Sequence, residues 1–404
     1  MPIAVLLDIV PEYRPVPDER EDDRARITSY GFDAGSGPYD PDATLDERLE
    51  RRWSFGEAYA LYGDDEAMLS TCVHMAFTAR LRGEWLPVAG VSAVASPPEY
   101  RRQGYVGDLL AASLADYRER GWPLAALHPF DESFYARYGW ATGERYWTAA
   151  VEPAALAPAA GEAGTFRRVR AEDGECLTPA YEAWLDGVDL ATRRSADWWR
   201  DRLFHGVDDE RYCYAWERDG EVRGYVIYDI ADGRLKAREF ASADHEAYRN
   251  LLRFLRDHSS QVETVELSGP DHARLVDLVA DRDAVEAEVT AGKMVRIVDV
   301  PAALEAVPYT VDGADITLDV NDGHADWNDD RFALRVRNGA ATVEPTDADP
   351  DVSLDIGTLS QLLVGYRGVE RARADGDVTI HDADAAGTLT RSFPRRETFL
   401  PEQF

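Results

Sequence analysis

The chain has 404 residues, 45% of them hydrophobic, which is material for two or three domains with cores of their own and excludes a disordered polymer. Asp and Glu number 76 against 44 Lys and Arg, a formal net charge of -32, and such a field repels phosphate backbones and anionic lipid, so nucleic acid and membrane are not expected as partners. The acid is spread along the chain and lysine occurs only at Lys236 and Lys293, a pattern read as a solvated surface in a cytoplasm of molar salt, where a Debye length of ~3 Å screens self-repulsion.

At the N-terminus, Met1 to Asp8 lacks the basic flank and length of a signal peptide and reads as an extra strand or an unstructured start. No apolar run reaches the ~18 residues needed to span a bilayer. Cys72, Cys176 and Cys213 show no CxxC spacing, which argues for a reducing compartment and against a disulfide framework. Val91 to Ala95 reads as a strand that Pro97 and Pro98 stop. Val106, Leu109, Leu110, Leu114 and Tyr117 then fall on one face of a helix that ends before Gly121. A strand follows at Pro123 to His128, then a short helix through Phe134, Tyr135 and Tyr138 with Gly139 as its left-handed stop.

The stretch from Pro153 to Gly164, PAALAPAAGEAG, reads as a linker and closes a first domain near residue 150. The middle segment alternates strand (Phe166 to Val169), helices through Trp184 and Trp198-Trp199, and strands Tyr212 to Glu217 and Arg223 to Asp229. A helix from Asp244 to His258 and a strand at Thr264 to Leu267 complete a mixed α/β order. A second boundary falls at Val298 to Pro301, where Pro301 opens a short helix. Short strands follow at Ile316 to Val320, Arg331 to Val336 and Ala341 to Val343, the last two joined by Asn338-Gly339. A helix at Ile356 to Tyr366 and a strand at Val378 to Ile380 make this last part α+β. The expected domains are 1–150, 151–297 and 298–404.

The segment with chemistry is the turn between the Val91 strand and the Val106 helix. A strand, an Arg101-Arg102-Gln103-Gly104 turn and a helix start put free backbone N–H groups and the positive end of a helix dipole in one place. Gly104 allows close approach of a bulky anion, and the site suits a pyrophosphate. Tyr135 lies just beyond the next strand. From the residues alone it reads as a core aromatic that uses its hydroxyl as a polar handle. His128, at the strand end, is the alternative titrating group.

Elsewhere the signals are weaker. The eight histidines and three cysteines show no zinc spacing. DVNDGHADWNDD at 319–330 lacks a calcium register and a Glu at position 12, so it reads as a solvated hairpin. No GxSxG elbow or Walker loop occurs, and no metal is expected.

VSAVASPPEYRRQGYVGDLL followed by PLAALHPFDESFYARYGW resembles motifs A and B of the GNAT acetyltransferases. More closely it is similar to the enhanced-intracellular-survival acetyltransferases, whose second motif runs IYxRFGYG, and MVRIVDVPAALEA at 294–306 matches their pattern as well. The resemblance implies tandem GNAT-like domains, each a mixed central sheet with flanking helices, the second without its cofactor site, followed by a sterol-carrier-like α+β domain. It implies acetyl-CoA as co-substrate and a small amine as acceptor, such as a polyamine, an aminoglycoside-like polycation or a lysine. It also implies a homo-oligomer, up to a hexamer, in the cytoplasm. Val94, Ala95 and Ser96 would meet the acetyl-pantetheine end through their main chain, and the backbone from Arg102 through Gln103, Gly104, Tyr105 and Val106 to Gly107 would hold the pyrophosphate. Phe130 and Asp131 would lie along the cofactor. At Val106 the general pattern has Gly or Ala. Tyr135 would be the acid and the terminal carboxylate of Phe404, the last residue of LPEQF, the base. The competing readings are an acetyl-CoA sensor without turnover and an apolar-ligand carrier with a GNAT scaffold.

Overall fold

The computed structural model describes residues 11–33, 35, 39–40, 42, 55–156, 164–204, 211–270, 274–279 and 281–404. The expectation for Met1 to Asp8, the 157–163 part of the linker, and His205 and His272 lie outside the described residues. Three sheets carry the described fold. In the first, β1 (Glu12–Pro15), β2 (Glu57–Tyr62), β3 (Met68–Leu81) and β4 (Glu84–Ala95) run antiparallel, and β5 (Leu124–Leu127) joins β4 in parallel. α1 (Glu21–Phe32) precedes β2, α2 (Tyr105–Glu119) crosses between β4 and β5, and the short α3 (Glu132–Ala136) leads to β6 (Ala141–Thr142). Buried Leu109, Leu110, Leu114 and Tyr117 on α2 pack with Ala89, Val91, Ala125 and Leu127, so the apolar stripe legible in the sequence is the stripe that meets the sheet.

The second sheet holds β7 (Arg145–Val151), β8 (Thr165–Val169), β9 (Tyr212–Arg218), β10 (Glu221–Ala231), β11 (Arg234–Ser242), β12 (Thr264–Pro270) and β13 (Val285–Ala291), in the order β13-β7-β12-β11-β10-β9-β8. Helix α4 (His245–Arg256) packs its Leu251, Leu252 and Leu255 into this sheet's core. β14 (Met294–Ile297) then returns to the first sheet, pairing with β5 on one side and β6 on the other. Sheet membership therefore does not run in three consecutive stretches. β7, read in the sequence as the end of the first domain, bonds to β12 and β13 of the second sheet, and β14, read as the end of the second domain, fills the gap between β5 and β6. Two compact units result. One takes the chain to Gly143 with Lys293–Arg396 and Glu402–Phe404; the other takes Glu144–Gly292 with Glu397–Pro401.

The C-terminal part is α+β. β15 (Ala314–Asn321), β16 (Asp330–Arg337), β17 (Ala340–Pro345), β18 (Val352–Asp355) and β19 (Val378–Ile380) form the order β17-β16-β15-β18-β19. Helices at Val300–Glu305, Ile356–Val364, Val369–Asp375 and Ala383–Ser392 accompany them. Asn338-Gly339 makes the expected two-residue turn, with φ of 55° and 80°. The loop between β15 and β16 corrects the sequence reading in part: it is a hairpin connection with Asp326, Asp329 and Asp330 exposed, but it is not solvated throughout. Asp322, Ala325 and Asn328 are buried, and both oxygens of Asp322 accept from Nη2 of Arg296 in β14, at 2.9 and 2.8 Å. Asp322 reads as solvated in the sequence because its cation sits 26 positions away.

Candidate functional site

The site begins where two parallel strands part. β4 and β5 are paired from Val88–Leu124 to Val91–Leu127, and β5 then ends while β4 continues through Ser92 to Ala95. In this extension Ser92 faces Val73 and Ala95 faces Thr71, so Ala93 and Val94 oppose the single residue Cys72. That is a bulge, and Ala93 takes a φ of 53° to make it. Backbone groups of β4 that β5 would have engaged are left for another partner.

After Ala95 the chain turns through Pro97 and Pro98 into α2. Arg102 (φ 61°) and Gly104 (φ 94°) are both left-handed, which turns successive N–H groups toward one concavity. Among the described residues the N–H groups of Gln103, Gly104, Tyr105 and Val106 form no backbone hydrogen bond, whereas Gly107 N–H is taken by Gly104 C=O at 2.7 Å. A Cβ on Gly104 would meet nothing within 4 Å, so the space in front of the turn is open. Arg101 braces the turn, with Nε on Ser96 C=O at 3.2 Å and its guanidinium over Tyr30. Gln103 reaches back to Glu99 C=O. The Arg102 side chain is exposed.

Tyr135 lies on the α2 side of the sheet in one cluster with Cys72, Leu109, Leu110, Leu127 and Met294, 3% exposed. Burial, then the nearby Cys72, push its phenol well above the ordinary tyrosine range, so it stays protonated. Phe134 and Phe130 pack edge-on against its ring at 5.1 and 5.4 Å, and Phe130 is otherwise 71% exposed. Asp131, placed by resemblance along the cofactor, is the N-cap of α3: its carboxylate accepts from the Ser133 hydroxyl and, second in effect, from Phe134 N–H, which hold its pKa below the usual range. His128 has its pKa lowered by desolvation and by Lys293, so it is neutral near pH 7.

Phe404 is on the other face. His74 and Cys72 of β3 point toward α2, where His74 Nε2 lies 3.2 Å from the Ser113 hydroxyl, and alternation along the strand sends Phe77 the opposite way. The Phe404 ring packs on Phe77 at 4.9 Å. Phe77 in turn lies on Gly90, where a Cβ would be 2.4 Å from its ring, one residue short of the last β4–β5 pair. The preceding segment is anchored in the second unit, where Thr398 bridges Asp189 and Phe399 packs on Trp184.

The second unit repeats the parting of strands without the anion seat. β11 and β12 pair only over Arg234–Lys236, and α4 follows β11. Its first turn is capped by Asp244, which accepts Ala247 N–H at 2.8 Å and is paired with Arg223. Burial would raise this carboxyl, but those two partners prevail and keep it ionised, so a protein carboxylate occupies the place of an anion.

Models of known families account for each part. An acetyltransferase (GNAT) domain matches residues 12–143, a second acetyltransferase (GNAT) domain matches 190–297, and a sterol carrier protein domain matches 300–401. The chain belongs to the GNAT acetyltransferases. It is an acetyltransferase of the type that resembles the enhanced-intracellular-survival family, with a sterol-carrier-like C-terminal domain. It is 27% identical to N-acetyltransferase Eis of Mycobacterium tuberculosis over 351 residues, 82% of this chain and 84% of that one. An N-acetyltransferase of Streptomyces avermitilis is 26% identical over 322 residues, 75% and 78% of the two chains. In fold, the acetyltransferase superposes on a probable N-acyltransferase from Enterococcus faecalis with a TM-score of 0.85 at 24% identity, covering 98% and 100% of the chains. Eis1 from Mycobacterium abscessus follows with 0.76 at 23%, covering 97% and 100%. No helix among the described residues is long and apolar enough to cross a membrane, and no three His, Cys, Asp or Glu side chains gather there as metal ligands.

Proposed function

We propose that this acetyltransferase moves the acetyl group of acetyl-CoA directly to the primary amine of a small cationic acceptor. The observation that carries the reading is the conjunction at the end of the β4–β5 ladder: a bulged strand with free backbone groups, a turn with four free N–H groups, a buried protonated phenol on one face and the chain terminus on the other. The N–H groups from Gln103 to Val106 and the exposed Arg102 side chain would take the diphosphate. The main chain of Val94, Ala95 and Ser96 would pair with the pantetheine arm, and the bulge would aim an N–H at the carbonyl oxygen as it gains negative charge. Phe130 would cover the arm near its sulfur.

The amine nitrogen attacks the thioester carbon, the C–S bond breaks, and the thiolate takes the Tyr135 proton. The ammonium proton goes to the Phe404 carboxylate, whose intrinsic pKa of about 3.3–3.7 makes it a weak base unless it is desolvated beside the cation it neutralises. An acidic surface favours polycationic acceptors generally, and the same reading carries a homo-oligomer in a saline cytoplasm. The test is thiol release from acetyl-CoA with a panel of amines in molar KCl, for the native C-terminus and for one extended by a few residues. Turnover is expected with amines and at least a hundredfold less of it, about what general base catalysis contributes, after extension. Equal rates for both forms would remove Phe404 from the mechanism, and no heat on adding coenzyme A to the protein would remove the cofactor.

A further inference from the structure

The loop between β15 and β16 lies along α2 and touches it at both ends. His324 Nε2 is 3.0 Å from the carbonyl of Gly107 in the first turn of α2. Trp327 lies under the Arg118 guanidinium of the last turn, at 5.1 Å, and donates its indole N–H to Val298 C=O at 2.8 Å. A carbonyl only accepts, so Nε2 of His324 carries the proton. Desolvation first, then Arg296, lower the His324 pKa, so the ring is neutral.

The same histidine reaches the helix of Tyr135. Its ring lies 4.8 Å from that of Tyr138, and Tyr138 is pressed against Gly107 from the other side, where a Cβ would stand 2.8 Å from the phenol ring. Tyr138 N–H bonds to Tyr135 C=O at 2.9 Å, so the two tyrosines belong to one turn. The circuit closes below them. The His324 backbone N–H donates to Asp322 Oδ1, Asp322 holds the buried Arg296, and Arg296 fills the space that a side chain at Gly139 would need. The first turn of α2 and the turn that carries Tyr135 and Tyr138 are thus both in contact with one loop.

We propose that His324 of the C-terminal domain is a positioning residue for the acetyl donor, holding the N–H groups at the start of α2 and the helix of Tyr135 in one register through Gly107 and Tyr138. This rests on the cofactor reading of the α2 turn. The C-terminal domain would then serve the donor half of the reaction, in addition to any role of the terminus on the acceptor side.

The test compares the full-length protein with His324→Ala, His324→Phe, which keeps a ring on Tyr138 without the donor, and His324→Gln, which restores an N–H of similar reach. Calorimetry with coenzyme A, KM for acetyl-CoA and for an amine, and the melting temperature are read on each. The Ala and Phe variants should raise the coenzyme A Kd and the acetyl-CoA KM by about three- to tenfold, the span of one hydrogen bond, with the amine KM unchanged and the Gln variant near the native values. A melting temperature that falls while the coenzyme A Kd stays native overturns the proposal, as does a Gln variant no better than Phe. Should Ala fail to fold, Phe and Gln carry the comparison. Failure of the native protein itself to bind coenzyme A would instead overturn the cofactor reading.

Discussion

Replacing Tyr135 by Phe separates chemistry from stability more cleanly than any other substitution in this site. The Tyr135 side chain is 3% exposed, no hydrogen bond holds its hydroxyl among the described residues, and its pKa is raised by burial and then by Cys72. Removing the hydroxyl therefore breaks no hydrogen bond within the protein, so stability should stay level to within about 1 kcal/mol. Each 1 kcal/mol is worth roughly 1–2 °C in a chain of 404 residues, so the melting temperature should change by no more than that. The rate, by contrast, should fall. Positioned general acid catalysis contributes about 10²- to 10⁴-fold, or about 2.7–5.4 kcal/mol of barrier at 1.36 kcal/mol per decade, and the loss should appear in kcat with the acetyl-CoA KM little changed. The raised pKa does not disqualify the phenol, because a thiolate formed in the same low-dielectric surroundings is made more basic by the same burial. Single-turnover thiol release and differential scanning calorimetry on the same preparation decide the matter. A Tyr135→Phe protein that melts several degrees lower and keeps its kcat would refute the reasoning, since it would make the hydroxyl a structural group.

Gly104→Ala should cost about 1–2 kcal/mol of stability from the left-handed φ of 94° alone, because no neighbour lies within 4 Å of the new methyl. Coenzyme A affinity should fall at least tenfold, about 1.4 kcal/mol, because relaxation of a strained left-handed alanine re-aims the neighbouring free N–H groups; an unchanged Kd by calorimetry would remove the diphosphate from this turn. For His74, burial alone would lower the pKa, but Cys72 and Asp116 outweigh it and raise the value to about 9. Its Nε2 faces Cys72, Ser113 and Tyr13, and its Nδ1 faces Asp116 at 3.7 Å. A raised histidine stabilises fully below the unfolded value near ~6.5 and loses that contribution as pH climbs through about 9. Urea midpoints should therefore decline between pH 6.5 and 9.5 and decline less in Asp116→Asn, and equal slopes in the two proteins would contradict the assignment.

The sequence by itself determined the local pieces of this site. Pro97 and Pro98 end the β4 strand, Gly104 starts α2 at a left-handed residue, the Leu109, Leu110 and Leu114 stripe meets the sheet, and Gly139 stops the turn after Tyr135. Each depends on side chains within one turn or one strand of the feature, so spacing was enough to read them. Strands whose partners lie far along the chain were not legible in this way: β13 and β18 take their places only when β7 and β15 are present to pair with them, whereas β11 went unread although Asp232-Gly233, at φ of 49° and 72°, joins it to β10 in a two-residue hairpin. The same distance hid the true edges of the sheets, because nothing near Arg145 or Met294 announces which sheet will accept it. It also hid the role of the acidic loop at 322–328. Its composition is that of a solvated turn, and only tertiary structure brings Arg296, Gly107 and Tyr138 to it, turning surface-like residues into the buried brace of a helix start. Short-range sterics and capping are written in neighbouring residues, whereas burial of a polar residue is decided by a partner that chain closure alone supplies.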